Sequence, residues 1–237
     1  FTKNRWVKFA VSGAKLLFGC EAVAVCHEGK ANPNQLVMNK DNFEEFVNLR
    51  QLILDKHTDK FGSTDGLVIG LQLTHSGRFC KPNSHKKFES KILYAHPFLN
   101  QKFGMDADYP VLTDEEIDEI IEKYVQAAIL AQKAGFDFVD IKHCHGYLGH
   151  EFLSAVDRPG KYGGSFENRT RYLRNIVAGI QAAAPGLEMG IRVSAFDFLP
   201  FKKGLNEQGE PEKAETYPYA FGGREDGLGI DLEEPKA

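Results

Sequence analysis

Ten residues, 138–147, hold most of the side chains in this sequence that could do chemistry: Asp140, Lys142, His143, Cys144, His145 and Tyr147. Phe138, Val139 and Ile141 mark a strand entering that run. Period-two alternation sets Phe138, Asp140 and Lys142 on one face and Val139 and Ile141 on the other. A lysine on a buried strand face is costly unless it is paired or used. Two readings follow. Asp140 and Lys142 neutralise each other as a structural ion pair, or Lys142 offers its charge to a ligand. The spacing His143-x-His145, with His150 nearby, suggests a third chemistry, a metal-dependent barrel hydrolase. Against it, no carboxylate cluster accompanies these histidines at the strand ends, and a regular strand turns His143 outward with Ile141. No metal is expected.

Two more apolar runs end on polar residues that suit the same mouth. One closes Gln72-Leu73-Thr74-His75-Ser76-Gly77-Arg78, the other Arg192-Val193-Ser194-Ala195. Arginine stays charged, so it suits an anion or a site where negative charge develops. Gln72, Lys142 and Arg192 at three converging strand ends are more than packing needs.

The elements that must position them alternate along the chain. Residues 5–14 read as a helix, 15–25 as a strand, 42–56 as a helix and 66–73 as a buried strand. Thr113 is a good N-cap for a helix that ends at Gly135, with Asp114, Glu115 and Glu116 in its first turn. A strand over 136–141, a helix over 168–184 and a strand over 189–193 follow. Buried strands alternating with amphipathic helices predict parallel βα units. No Gly-x-Gly-x-x-Gly follows any strand, which favours a (β/α)₈ barrel over a doubly wound sheet. Residues 74–111 are too long for a simple connector and read as a substrate-side insertion. Residues 196–237 read as an elaborated loop.

Composition excludes several classes. The 237 residues are 42% hydrophobic and 26% charged, which suits a folded core and not disorder. Twenty-nine Lys plus Arg against 33 Asp plus Glu give a net charge of −4 with no basic stripe, so nucleic acid is not an expected partner. Apolar runs such as 67–73 are far shorter than a membrane span. Four cysteines without Cys-x-x-Cys spacing suit a reducing, cytoplasmic setting.

Several linked motifs resemble the Old Yellow Enzyme family of NADH:flavin oxidoreductases. They are Glu21-Ala22-Val23-Ala24-Val25, Leu71-Gln72-Leu73 with His75-Ser76-Gly77-Arg78, His145-Gly146-Tyr147-Leu148, Glu151-Phe152-Leu153-Ser154, Tyr162-Gly163-Gly164-Ser165, Glu167-Asn168-Arg169 and Ile191-Arg192-Val193-Ser194. The resemblance implies an FMN-dependent TIM (β/α)₈ barrel that takes hydride from NAD(P)H and reduces an activated, enone-like C=C bond of a small molecule. By the same resemblance Ala22, Gln72 and Arg192 contact the flavin. His145 matches one member of the pair that binds the substrate oxygen, and Tyr147 matches the proton donor. The pair's first position, a histidine in the family, holds Lys142. Its compact charge suggests a more anionic or carboxylate-bearing substrate. Arg78, Asn168 and Arg169 are expected to brace loops, and Cys26 and Cys144 to be inert buried thiols.

Measured against the family, residues 1–237 resemble a partial barrel of about four of the eight βα units, without its first strand or its last ones, the tail leading toward the missing half. On that expectation the chain is a fragment that neither closes a barrel nor binds FMN tightly alone, and an inactive fragment is a further alternative. A homo-oligomer is compatible with the sequence.

Overall fold

The computed structural model describes residues 2–237. Its main sheet has five strands: β1 (Leu16–Leu17), β2 (Ala22–Ala24), β3 (Val68–Thr74), β4 (Phe138–His143) and β5 (Glu188–Val193). Every pairing in it is parallel. Parallel neighbours need a long crossover, and helices supply it. The order across the sheet is β1-β3-β4-β5, with β2 also on β3. This is the expected α/β arrangement, and among the described residues the sheet stays open.

Helices α1 (Thr2–Ala10), α2 (Phe43–Phe61), α3 (Leu99–Lys102), α4 (Asp114–Lys133), α5 (Leu148–Leu153), α6 (Phe166–Ala183) and α7 (Glu233–Lys236) complete the regular structure, with an antiparallel hairpin of β6 (Phe201–Lys203) and β7 (Gly209–Pro211). Helix α4 starts where expected. The Thr113 side chain accepts from the Glu116 N–H and the Glu116 carboxylate accepts from the Thr113 N–H, a reciprocal capping box. Helix α6 opens on Ser165, whose hydroxyl accepts from the Asn168 N–H. The core lies between the sheet and these helices: Leu71, Val139 and Ile141 pack with Ile117, Tyr124, Tyr172 and Ile176, all fully or almost fully buried.

Two expectations need correction. The single strand over residues 15–25 is broken in two. Leu16 pairs with Val68 and Ala22 with Gln72, so six steps on one strand meet four on the other and two residues loop out. Gly19 makes the loop with φ +84°, and a Cβ there would come 3.0 Å from the Gln72 backbone nitrogen. The tail over residues 196–237 is also more than a loop. Besides the β6–β7 hairpin it carries a small core of Leu199, Tyr217 and Ala220, with Phe98 from the 74–111 segment packed on it.

Candidate active site

Strand β4 alternates as its sequence requires. Val139 and Ile141 enter the helix-covered core, while Phe138, Asp140 and Lys142 take the opposite, inner face. Gly70 on β3 makes the lower layer of that face, because a Cβ there would sit 2.1 Å from the Phe138 ring. Phe18, from the loop before β2, closes on Phe138 with ring centroids 5.0 Å apart.

Above this apolar layer four polar side chains meet by register. Gln72 lies opposite Asp140 on β3 and β4, and Lys142 opposite Arg192 on β4 and β5. Asp140 does not pair with Lys142. Its Oδ2 accepts a hydrogen bond from Gln72 Nε2 at 2.5 Å, while its Oδ1 is buried with no partner. Among the described residues no carboxylate lies within ion-pair distance of Lys142 or Arg192. Lys142 instead sets its Nζ 3.8 Å above the centroid of the Tyr147 ring, a cation over a π face. The structural-pair reading of Lys142 thus gives way to a buried ammonium that keeps its donors free.

The chain delivers Tyr147 there through a tight turn. His145 and Gly146 both have positive φ, +63° and +67°, and the Tyr147 N–H bonds back to the Cys144 carbonyl. This is a type I′ arrangement, and a non-glycine residue in it is uncommon. It breaks the strand's alternation, which is how Lys142 and Tyr147 reach the same place five residues apart. The His145 N–H donates to Ser194 Oγ at 3.3 Å, tying the turn to the end of β5. Phe79 flanks Tyr147, with centroids 5.6 Å apart.

Burial and neighbouring charges set the protonation states. Burial lowers Lys142 below its ordinary range, with Arg192 adding to the effect. Burial raises Tyr147, which keeps the phenol protonated and able to act as an acid. His145 is pushed down, first by burial and then by the Lys142 and Arg192 charges, so it is a neutral donor. The set can hold an oxygen that gains negative charge and supply a proton beside it.

The other named residues are placed as follows. Ala22 lies in register with Gln72, and its carbonyl accepts from Gln35 Nε2 at 2.9 Å. His143 points into the helix layer, stacked on Tyr172, and its neutral form is favoured by burial, with its pKa pushed down to about 3. His150 accepts the Gly146 N–H on Nδ1. His143, His145 and His150 therefore do not converge, and no group of three or more His, Cys, Asp or Glu among the described residues could hold a metal. His75 is a brace, accepting the Gly77 N–H on Nδ1 at 3.2 Å. Arg78 donates to both Glu151 oxygens, to Asn100 and to the Tyr94 carbonyl, clamping residues 74–111 onto α5. Asn168 and Arg169 donate to loop carbonyls of Gly163 and Gly164. Burial raises the Cys26 thiol to about 12 and raises that of Cys144, which leaves both unreactive.

One part of the site escaped the sequence reading. A cleft of about 340 Å³ opens beside His145 and Gly146, walled by Tyr94, His96, Tyr217 and Tyr219. Tyr94 and Tyr219 stack with centroids 5.2 Å apart. His96 Nδ1 accepts two backbone N–H groups, so its Nε2–H donates to the Tyr217 hydroxyl at 2.8 Å. The sequence signal is Tyr217-Pro218-Tyr219, two tyrosines about a proline in the tail.

A flavin edge is a fair test of these residues. Its pyrimidine end presents carbonyl acceptors on either side of one N–H donor. Arg192 offers free donors and Gln72 a free carbonyl oxygen, so the residues fit the group.

Several known proteins are similar to this chain. The sequence model of the NADH:flavin oxidoreductase / NADH oxidase family matches residues 10–217. An NADPH dehydrogenase of Bacillus velezensis is 33% identical over 202 residues, covering 80% of this chain and 54% of that protein. An NADH:flavin oxidoreductase of Gibberella zeae is 31% identical over 202 residues, covering 79% and 47%. The solved old yellow enzyme homologue of Zymomonas mobilis matches with a TM-score of 0.64 at 25% identity, over 82% of this chain and 54% of that one. The chain spans about half the length of the curated relatives it matches. The fold of the solved neighbours is the TIM (β/α)₈ barrel, and the parallel sheet with its outer helices is part of it.

Proposed function

The chain belongs to the NADH:flavin oxidoreductase / NADH oxidase family, and from that premise we propose that it carries the substrate side of an FMN-dependent enzyme that takes hydride from NAD(P)H and reduces an activated C=C bond. The observation that carries the reading is the set Gln72, Lys142 and Arg192 at three neighbouring strand ends, the two cations without a carboxylate at ion-pair distance among the described residues, with Tyr147 beside them.

Gln72 and Arg192 would hold the flavin ring, with Ala22 approaching it through its backbone. Arg192 has no carboxylate partner among the described residues, so its charge is available to an anionic ring. Bound FMN would supply the two-electron chemistry, accepting hydride from the nicotinamide and passing it to the substrate. Lys142 and His145 orient the substrate through its oxygen and stabilise the charge that builds there. Tyr147 Oη delivers the proton to the α-carbon, and its raised pKa holds that proton until a basic enolate forms.

Lys142 narrows the substrate class. A cation buried without a carboxylate favours a ligand that brings one, so the preferred substrate carries negative charge near its carbonyl oxygen. Residues 74–111 and 196–237 shape the mouth through Phe79, Tyr94, Tyr217 and Tyr219. Four free cysteines suit a reducing, cytoplasmic setting, and no helix among the described residues is long and apolar enough to cross a membrane. A homo-oligomer is tested by light scattering.

The test is an absorbance scan for bound flavin, followed by NAD(P)H-driven reduction of a neutral enone and of its carboxylated analogue. A flavin band with turnover about tenfold or more in favour of the carboxylated substrate is expected. Absence of flavin from the full-length protein would overturn the flavoenzyme reading. Equal handling of the two substrates would overturn the role of Lys142 alone.

A further inference from the structure

Asp140 is the one fully buried carboxylate on the inner face of the sheet, and the proposed mechanism does not use it. It is 0% exposed, and burial without an ion pair is an expensive setting for a carboxylate. Its one hydrogen-bond partner is the side-chain amide of Gln72, the residue directly opposite on β3. Gly190, opposite Asp140 on β5, supplies no side chain to crowd it, and a Cβ there would lie 3.5 Å from Oδ1.

The chemistry of this contact is directional. An ionised carboxylate can only accept hydrogen bonds, whereas an amide side chain has one donating and one accepting end. Asp140 therefore takes the NH₂ of Gln72, and the carbonyl oxygen of Gln72 is left with no partner among the described residues. We propose that Asp140 is a positioning residue: it locks the amide of Gln72 so that the site presents a hydrogen-bond acceptor, not a donor, to the ring bound there. The ligand group this selects is a ring N–H flanked by carbonyls, such as the imide edge of a flavin. Arg192 on β5 supplies the complementary donors.

Burial raises Asp140 above its ordinary carboxylate range, opposed by the hydrogen bond from Gln72 and by the charges of Arg192 and Lys142. Those three side chains and Cys144, with His145 beyond Lys142 and Arg192, are polar groups around Asp140 among the described residues. A protonated or amidated Asp140 could donate to the Gln72 carbonyl instead, turning the amide around. Asn is nearly the same size as Asp, so Asp140→Asn removes the directionality while keeping the shape.

The inference rests on the flavoenzyme reading only for the identity of the ring, and the test separates the two. In the full-length protein without flavin, NMR of the Gln72 side-chain amide should show a downfield, hydrogen-bonded Nε2 proton that moves back toward the free position in Asp140→Asn. In the flavin-loaded protein, binding should be compared for FMN and for FMN methylated at the imide nitrogen, which has no N–H to donate. The wild-type protein should prefer FMN on the order of tenfold, Asp140→Asn should lose most of that preference, and Asp140→Asn in a Gln72→Ala background should change it no further. An amide signal insensitive to Asp140→Asn, or a preference that survives it, would overturn the proposal. If the amide shifts as expected but neither flavin binds, the positioning role stands and the flavin reading falls.

Discussion

Strands β4 and β5 lie side by side in a six-residue register and share the same alternation, yet they live in different surroundings. Every residue of β4 is buried, while Glu188, Ile191, Arg192 and Val193 of β5 are exposed. Ile141 is 0% exposed and its register partner Ile191 is 42% exposed. The difference is coverage among the described residues, in a chain that spans about half the length of its relatives. β4 has a strand on each edge and helices over its outer face, whereas β5 is paired on one edge only among the described residues. Lys142 and Arg192 are neighbours by register, but packing holds the first and leaves the second free. Burial on both faces restricts the side chains of β4, while the guanidinium of Arg192 on β5 is exposed among the described residues.

The largest effect should come from the end of β4. Tyr147→Phe removes the proposed proton donor and keeps the ring under Lys142, so reoxidation of the reduced flavin by the alkene should slow by about 10²–10⁴-fold. Reduction by NAD(P)H should hardly change. Stopped-flow measurement of the two halves checks this, and equal loss in both would refute a role for Tyr147 in proton transfer.

Next comes the packing contrast itself. Ile141→Ala should cost about 2–5 kcal/mol, because the cavity opens among Val139, Tyr172 and other buried neighbours. Ile191→Ala, on a half-exposed face, should cost about 1 kcal/mol or less. Urea unfolding of both variants measures the gap. Equal costs would mean that β5 is covered in solution as fully as β4.

Much of this contrast was legible in the residues. The alternation Phe138, Asp140, Lys142 against Val139, Ile141 set the two faces of β4 correctly, since a fully buried strand has little freedom in register. Thr113 as N-cap marked the start of α4 at Asp114. The split of the 15–25 strand was not legible, because the apolar run continues through Gly19 and only the fixed register of β3 reveals two surplus residues. Nor was the partner of Asp140. Sequence proximity favoured Lys142 two residues away, but side chains two apart on a strand stand side by side, and the cross-strand neighbour Gln72 is closer. The aromatic cleft was hidden for a related reason: His96 and Tyr217 are 121 residues apart and meet only when the tail docks on the insertion.

A smaller effect separates the two cations. Lys142→Met should raise KM for a carboxylated enone tenfold or more while changing a neutral enone little, since a lost charge-assisted hydrogen bond is worth about 1.5–3 kcal/mol. Arg192→Met should instead weaken flavin retention, with both substrates affected alike. Steady-state kinetics and equilibrium dialysis of FMN resolve the two patterns, and identical patterns would erase the division of labour between the strands.

The smallest effect tests coverage through titration. His143 on β4 is 0% exposed, beside Val193 on β5 at 47%. Burial, with His150 adding a like charge when protonated, lowers its pKa from 6.5 to about 3. Above pH 6.5 the ring is neutral in both folded and unfolded chains and stability does not depend on it. As pH falls below 6.5 the unfolded chain takes up a proton that the folded chain refuses, so stability drops by about 1.4 kcal/mol per pH unit until the folded pKa is reached. His75 and His96, lowered to about 4 and about 3 by burial, add their own losses in the same direction. Replacing His143 with Leu should leave those two in place and remove one histidine's share of the slope. Urea unfolding at pH 5.5 and 5.0 should then show a stability difference smaller than the wild type's by about 0.7 kcal/mol. The slope, not the absolute stability, is the measure, because the altered packing against Tyr172 shifts both pH values equally. An unchanged slope would mean that water reaches His143 in the folded protein and that the outer face of β4 is no better covered than that of β5.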